Sequence, residues 1–174
     1  PRGDFVRGSG GVASGPISFM SVIDYSCGEV KQGGTRRGAN MGIINVDHPD
    51  IMEFIHCKNE DGRISNFNIS VGITDAFMDS VGKGQEYDLI NPRTGKVHVE
   101  PTTGKEQRLL ATDVWNELIQ SAWLNGEPGI IFLDRIRRTN PTPNVEEQNT
   151  TNPCGEQPLL PYEACVLGSI KLNA

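Results

Sequence analysis

The sequence predicts an α/β fold with parallel strands, on two observations: short apolar runs of strand character recur along the chain, and segments of helical periodicity lie between them. Met41 to Val46, Phe67 to Ile73 and Ile130 to Leu133 are the apolar runs. Parallel neighbours require crossover connections of this kind, and the loops at strand ends are then free to carry functional groups.

The elements follow in order. Residues 1–15 are rich in Gly and Ser (Gly3, Gly8, Ser9, Gly10, Gly11, Ser14, Gly15) and read as a loop whose backbone amides can approach a ligand. Pro16 suits a first helical position, and Ile17, Met20, Ile23, Cys27 and Val30 recur at helical spacing, so a helix is predicted over 16–31. A second flexible stretch, 32–40, leads into the strand at Met41 to Val46. Asp47 is a predicted cap for a helix carrying Asp50, Ile51, Phe54 and Ile55. After the strand Phe67 to Ile73, Asp75 opens a short helix through Phe77, Met78 and Val81. Tyr87 to Lys105 contains Asn91-Pro92-Arg93-Thr94-Gly95 between extended runs, which predicts a surface hairpin where no chemistry is expected. Thr112 is a predicted cap for an amphipathic helix, with Val114, Leu118 and Ala122 beside Trp115, Ile119 and Trp123, stopped by Gly126 and Pro128. Beyond the strand at Ile130, the segment Thr139 to Pro161 holds five prolines and reads as a long ordered loop. The apolar residues near Ile170 read as one more strand, and the missing initial Met suggests an internal piece of a longer protein.

Composition excludes several classes. A formal net charge of -6 argues against general nucleic-acid binding, which needs a basic face to displace phosphate counterions. No apolar run is long enough to cross a bilayer and no signal pattern opens the chain, so a soluble, cytoplasmic setting away from membranes is expected. Cys27, Cys57, Cys154 and Cys165 are too sparse for a disulfide scaffold and match no zinc-binding spacing, so reduced thiols and no metal are expected. His56-Cys57 alone supplies two ligands, too few for a closed site.

Within the long loop lies Asn152-Pro153-Cys154-Gly155-Glu156, a thiol flanked by a carboxamide and a carboxylate. In an extended backbone, residues two apart face the same side, so the three functional groups are expected to converge on one small substrate. Pro153 would stiffen the approach and Gly155 would permit an unusual backbone angle beside a ligand. Spacing alone leaves open a buried structural thiol, the commoner fate of a lone Cys. A cysteine hydrolase would need a histidine base, and His48, His56 and His98 are all remote in sequence.

The run Asn152 to Cys165, followed by Leu167-Gly168-Ser169-Ile170, resembles the active-site loop of ribonucleotide reductases, most closely the adenosylcobalamin-dependent class II type. Gln32 to Gly42 resembles the family's loop linking the allosteric effector to the substrate base, and Gly3 to Gly11 its effector-holding loop. The motifs occur in the family's order, so the resemblance covers essentially the whole chain.

The resemblance implies a fragment of a ten-stranded α/β barrel with an inserted active-site finger loop. Its parts would be an effector loop at 1–15, an effector–substrate loop at 32–40 and an active-site loop at 140–165. It implies reduction of ribonucleoside di- or triphosphates to deoxyribonucleotides for DNA synthesis. Cys154 would be the thiyl radical that abstracts the 3′ hydrogen, Glu156 would take the 3′ hydroxyl proton, and Asn152 would hydrogen-bond the substrate hydroxyls. Cys165 would be half of the reducing dithiol, with its partner upstream of Pro1 and the substrate-phosphate grip downstream of Ala174. Substrate would further meet Pro153, Gly155, Arg36 and Arg37, and a dNTP or ATP effector would meet Arg7, Gly10, Gly11 and Gln32. Adenosylcobalamin is the implied cofactor, or none bound directly if a separate class I subunit supplies the radical. A thioredoxin-type reductant and a homodimer of the full-length protein are also implied, and the fragment alone is expected to be incomplete. Two rivals are a glycyl-radical enzyme and a non-catalytic nucleotide-binding module in which the Cys154 loop merely packs.

Overall fold

The computed structural model describes residues 1–30, 38–60 and 62–173. Gln32, Arg36 and Arg37 therefore lie outside the described residues. In chain order the elements are α1 (Pro16–Glu29), β1 (Asn40–Asn45), α2 (Ile51–His56), β2 (Phe67–Ile73) and α3 (Asp75–Lys83). They continue as β3 (Glu86–Asp88), β4 (Ile90–Asn91), β5 (Lys96–Val97), β6 (Arg108–Leu110), α4 (Ala111–Asn125), β7 (Gly129–Phe132), α5 (Leu133–Arg138), β8 (Thr150–Thr151) and β9 (Pro158–Leu159).

The α/β alternation forms a three-stranded parallel sheet in the order β1-β2-β7. Among the described residues the sheet is open and does not close into a barrel. Its register pairs Met41 with Asn68, Ile43 with Ser70, and Ser70 with Gly129. Because side chains alternate along a strand, the faces differ in character. Phe67, Ile69, Val71 and Ile73 of β2 point to the helices, where they meet Ile17 and Met20 of α1, Phe54 of α2, Phe77 of α3, and Val114 and Leu118 of α4 in one buried core. Each such side chain, fully buried, contributes about 1.5–3 kcal/mol through removal of apolar surface from water. The opposite face of β2 carries Asn68, Ser70 and Gly72, small or polar groups that leave room above the sheet.

Gly72 is required where β2 passes under α5. A Cβ there would lie 2.5 Å from Leu133 Cδ1 and 3.1 Å from Leu133 Cγ, and Leu133 is itself buried. Gly72→Ala is expected to cost about 1–3 kcal/mol through overpacking. The check is a shift of the urea midpoint at unchanged slope; an unshifted midpoint would show that Leu133 moves aside freely.

Several boundaries differ from expectation for local reasons. Helix α2 begins at Ile51, and Asp47 does not cap it. The residue before a proline disfavours helical backbone, so His48-Pro49 delays the helix, and the His48 ring accepts from the Asp50 amide at 3.0 Å. Asp47 instead accepts a backbone bond from Ile90 at 2.6 Å, and burial pushes its carboxyl above the usual range. Helix α4 begins at Ala111 with Leu110 in the cap position, so Thr112 is already helical. Helix α3 matches its predicted span, with Thr74 Oγ1 accepting from the Phe77 amide at 3.1 Å and Gly84 closing the far end at φ 62.

The predicted surface hairpin is an antiparallel ladder, β3 against β6 and β4 against β5. It is anchored to the sheet by the Tyr87 hydroxyl, which donates to the Val46 carbonyl at 2.9 Å. The predicted strand near Ile170 does not form: residues 164–171 carry no regular structure, and Val166, Leu167, Ile170 and Leu172 are exposed. An apolar run becomes a strand only when its amides and carbonyls find a pairing partner, and no described strand pairs with this one.

Candidate active site

The cysteine loop is the tip of a narrow antiparallel finger. Strands β8 and β9 pair Thr150 with Leu159 and Thr151 with Pro158, and the chain reverses over Asn152 to Gln157. The Asn152 amide donates to the Gln157 carbonyl at 3.1 Å, and the Gly155 amide donates to the Asn152 carbonyl at 3.0 Å. Gly155 has φ 84, a left-handed conformation that a residue without Cβ adopts cheaply. The tip is thus folded back on itself, which corrects the expected extended backbone. Closing so short a reversal places Asn152 Oδ1 within 3.0 Å of the Gln157 amide, from which it accepts, so the carboxamide faces its own loop.

Pro153, Cys154 and Gly155 line a cleft of about 500 Å³ above the polar face of the sheet, together with Met41, Asn68, Ser70, Glu127 and Gly129. Cys154 is exposed and reduced. Glu156 is exposed as well but does not line the cleft, so in this conformation the expected convergence of three side chains is confined to the thiol. The finger meets the sheet near the amino ends of β2 and β7. Strand β8 of the finger packs against β1, and at the tip Asn68 Nδ2 donates to the Pro153 carbonyl at 2.6 Å. Cys165 lies on the irregular segment after the finger and is exposed.

The amino-terminal loop is also organised. Phe5 bridges Val12, and the Val6 amide donates to the Gly11 carbonyl at 2.9 Å. Asp4 Oδ2 accepts from Asn91 Nδ2 at 3.0 Å and pairs with the Arg93 guanidinium at 2.9 Å, while Arg93 Nη1 donates to the Phe5 carbonyl at 3.1 Å. The Asn91 hydrogen bond, with the Arg93 charge as a lesser cause, holds the Asp4 carboxyl below its usual range. Arg7 and Arg93 share the rim of an open pocket of about 870 Å³ with Asp4 and Thr94. Gly10 and Gly11 lie on the exposed turn of the same loop and do not line that pocket.

A family profile described as "Ribonucleotide reductase, barrel domain" matches residues 1–174, the whole chain. The chain belongs to the ribonucleotide reductase barrel-domain family. It is 52% identical over 174 residues to a protein of Thermoplasma acidophilum named vitamin B12-dependent ribonucleoside-diphosphate reductase. It is 46% identical over 173 residues to a protein of that name from Mycobacterium tuberculosis (strain CDC 1551 / Oshkosh), and 36% identical over 187 residues to the vitamin B12-dependent ribonucleotide reductase of Rhodopirellula baltica. These matches cover 99%, 99% and 94% of the chain but only 22%, 24% and 17% of the relatives.

Within this ribonucleotide reductase segment the remaining thiols are set apart from the cleft. Cys57 is buried, and burial pushes its thiol up to about 11, while the His56 ring pairs with Glu117 at 3.0 Å. Alkylation at neutral pH is accordingly expected to label Cys154 and Cys165 at once and Cys57 only after unfolding. Peptide mass spectrometry checks this; early labelling of Cys57 would contradict its burial.

Sequence reasoning missed three polar residues. Arg93 was assigned to a hairpin without chemistry, yet it anchors the amino-terminal loop, and no local signal in a polar turn announces that. Asn68 and Glu127 lie at the cysteine finger's footing. Asn68 did leave a signal, as a carboxamide in a strand of apolar and small residues.

Proposed function

We propose that this chain is the part of a ribonucleotide reductase large subunit that presents the radical cysteine to substrate, within a ten-stranded barrel of which β1, β2 and β7 form one stretch. The observation that carries the reading is the placement of Cys154: an exposed thiol at the tip of a two-stranded finger, over a cleft floored by polar and small groups. A structural thiol would be buried in apolar packing, as Cys57 is.

The substrate is a ribonucleoside diphosphate, as in the names of two relatives. Cys154 in thiyl form takes the 3′ hydrogen of the ribose and later returns it. Glu156 accepts the 3′ hydroxyl proton, and the neighbouring 2′ hydroxyl, protonated by one thiol of the reducing dithiol, leaves as water. Two electrons come from a dithiol containing Cys165, which becomes a disulfide and is restored by a thioredoxin-type reductant. Asn152 holds the substrate hydroxyls, for which its carboxamide must turn from the Gln157 amide toward the cleft. Pro153 and Gly155 shape the tip, and Arg36 and Arg37 meet substrate base or phosphate. Arg7, with Gly10, Gly11 and Gln32, holds a dNTP or ATP effector, a role supported for Arg7 by its position on the larger pocket. The full-length protein works as a homodimer in the cytoplasm.

Adenosylcobalamin fits this arrangement in one respect: Cys154 is exposed at the open mouth of the cleft, where a large group can approach the sulfur. The cofactor, when bound, supplies the radical by homolysis of its cobalt–carbon bond. Among the described residues Cys154 is the one assigned to meet it. The test is deoxyribonucleotide formation by the full-length enzyme with a dithiol reductant. Product only with adenosylcobalamin supports the reading, and equal product without it would move the protein to the class that draws its radical from another subunit.

A further inference from the structure

We infer that Asn68 is a positioning residue for Cys154, locked in place by a Lys58–Glu127 brace that grips β2 on either side of it. The inference rests on the radical reading above. Asn68 Nδ2 donates to the Pro153 carbonyl at 2.6 Å, one residue before the thiol. The tip is otherwise held by bonds within the finger itself, so this bond ties Cys154 to the sheet below.

The brace explains why the anchor is fixed. Lys58 Nζ donates to the Phe67 carbonyl at 2.6 Å and forms an ion pair with Glu127 Oε2. Glu127 Oε1 accepts from the Ile69 amide at 3.1 Å. The backbone groups on both sides of Asn68 are therefore tied to one largely buried ion pair, with side chains 15% and 22% exposed. Glu127 also lines the cleft under Cys154. A strand end held this way cannot twist freely, and the carboxamide it carries points at a constant place on the finger. Hydrogen transfer between sulfur and a ribose carbon is sensitive to separation, so an anchor of this kind acts on turnover more than on binding.

The experiment uses the full-length enzyme. Asn68→Asp conserves shape but removes the donor, since a carboxylate only accepts. Expected are a fall in kcat of about 100-fold with KM little changed. Amide hydrogen exchange at Gly155, whose N–H donates to the Asn152 carbonyl at 3.0 Å, should speed up at least about threefold, because the tip opens more often. Lys58→Met and Glu127→Gln should speed the same exchange. Asn68→Ser, shorter but still a donor, replaces the aspartate variant if that one fails to fold, and should lie between it and the wild type. An unchanged Gly155 exchange rate in the folded variant overturns the inference whatever the turnover. Cys154→Ser, run in parallel, separates the two ideas: if it retains turnover the radical reading fails, whereas an inactive Cys154→Ser beside a wild-type Asn68→Asp defeats only the anchor.

Discussion

Cys154→Ser in the full-length enzyme is expected to lower turnover by at least about 10⁴-fold, roughly 5.4 kcal/mol of activation free energy, with effector binding unchanged. Serine preserves size and polarity at an exposed position, so the finger hairpin, whose bonds run through the backbone and Asn152, should persist. What changes is bond strength: an O–H bond is too strong to form and break reversibly against a ribose C–H, and serine cannot take the radical role. The measurement pairs product formation with effector binding by calorimetry and a melting curve. Loss of activity together with loss of folding would instead assign Cys154 a structural part, which its exposure makes hard to sustain. Retained activity would sink the radical mechanism.

Glu156→Gln is expected to reduce kcat by about 10²–10⁴-fold, the range associated with removing a general acid or base, while KM stays within about threefold. Gln matches Glu in shape but cannot accept the 3′ hydroxyl proton, so loss of water from the 2′ position becomes slow. Glu156 is exposed and lies outside the cleft, which predicts a second consequence. On the proposed mechanism the finger tip rotates or tightens when substrate binds, and Asn152 leaves the Gln157 amide. Protection of the Asn152–Gln157 amides from hydrogen exchange should therefore change on adding substrate with cofactor. A kcat within twofold of wild type would remove Glu156 from the chemistry.

Much of the architecture was legible because it rests on local periodicity. The span of β2 is predicted to the residue, since apolar residues alternating with small or polar ones between Asn66 and Thr74 have few alternatives to a strand. The helices α1, α3 and α4 are found within a turn, as their punctuation by Pro16, Asp75 and Gly126 acts locally. Boundary errors arose where a neighbour competes, as at His48-Pro49, or where capping is done without a side chain, as at Leu110. The strand near Ile170 was misjudged because strand formation is a property of a pair, and a single segment cannot report whether its partner is present.

The site divides in the same way. The candidate groups were readable from sequence: a thiol between a carboxamide and a carboxylate, in a proline-rich loop, with motifs that resemble the family's before and after it. Geometry was not. An extended tip and a reversed tip share the same residues, and the choice between them is made by the pairing of β8 with β9 and by Gly155 at φ 84. That Asn68 holds Pro153 across a sequence separation of 85, and that Lys58 and Glu127 hold β2 around it, depends on bringing remote segments within hydrogen-bond reach. Sequence alone determined which candidate groups this protein carries and in what order, because composition and local pattern are written along the chain. Only the tertiary structure decided where they point, because hydrogen bonds and ion pairs act over about 3 Å in space and take no account of distance along the backbone.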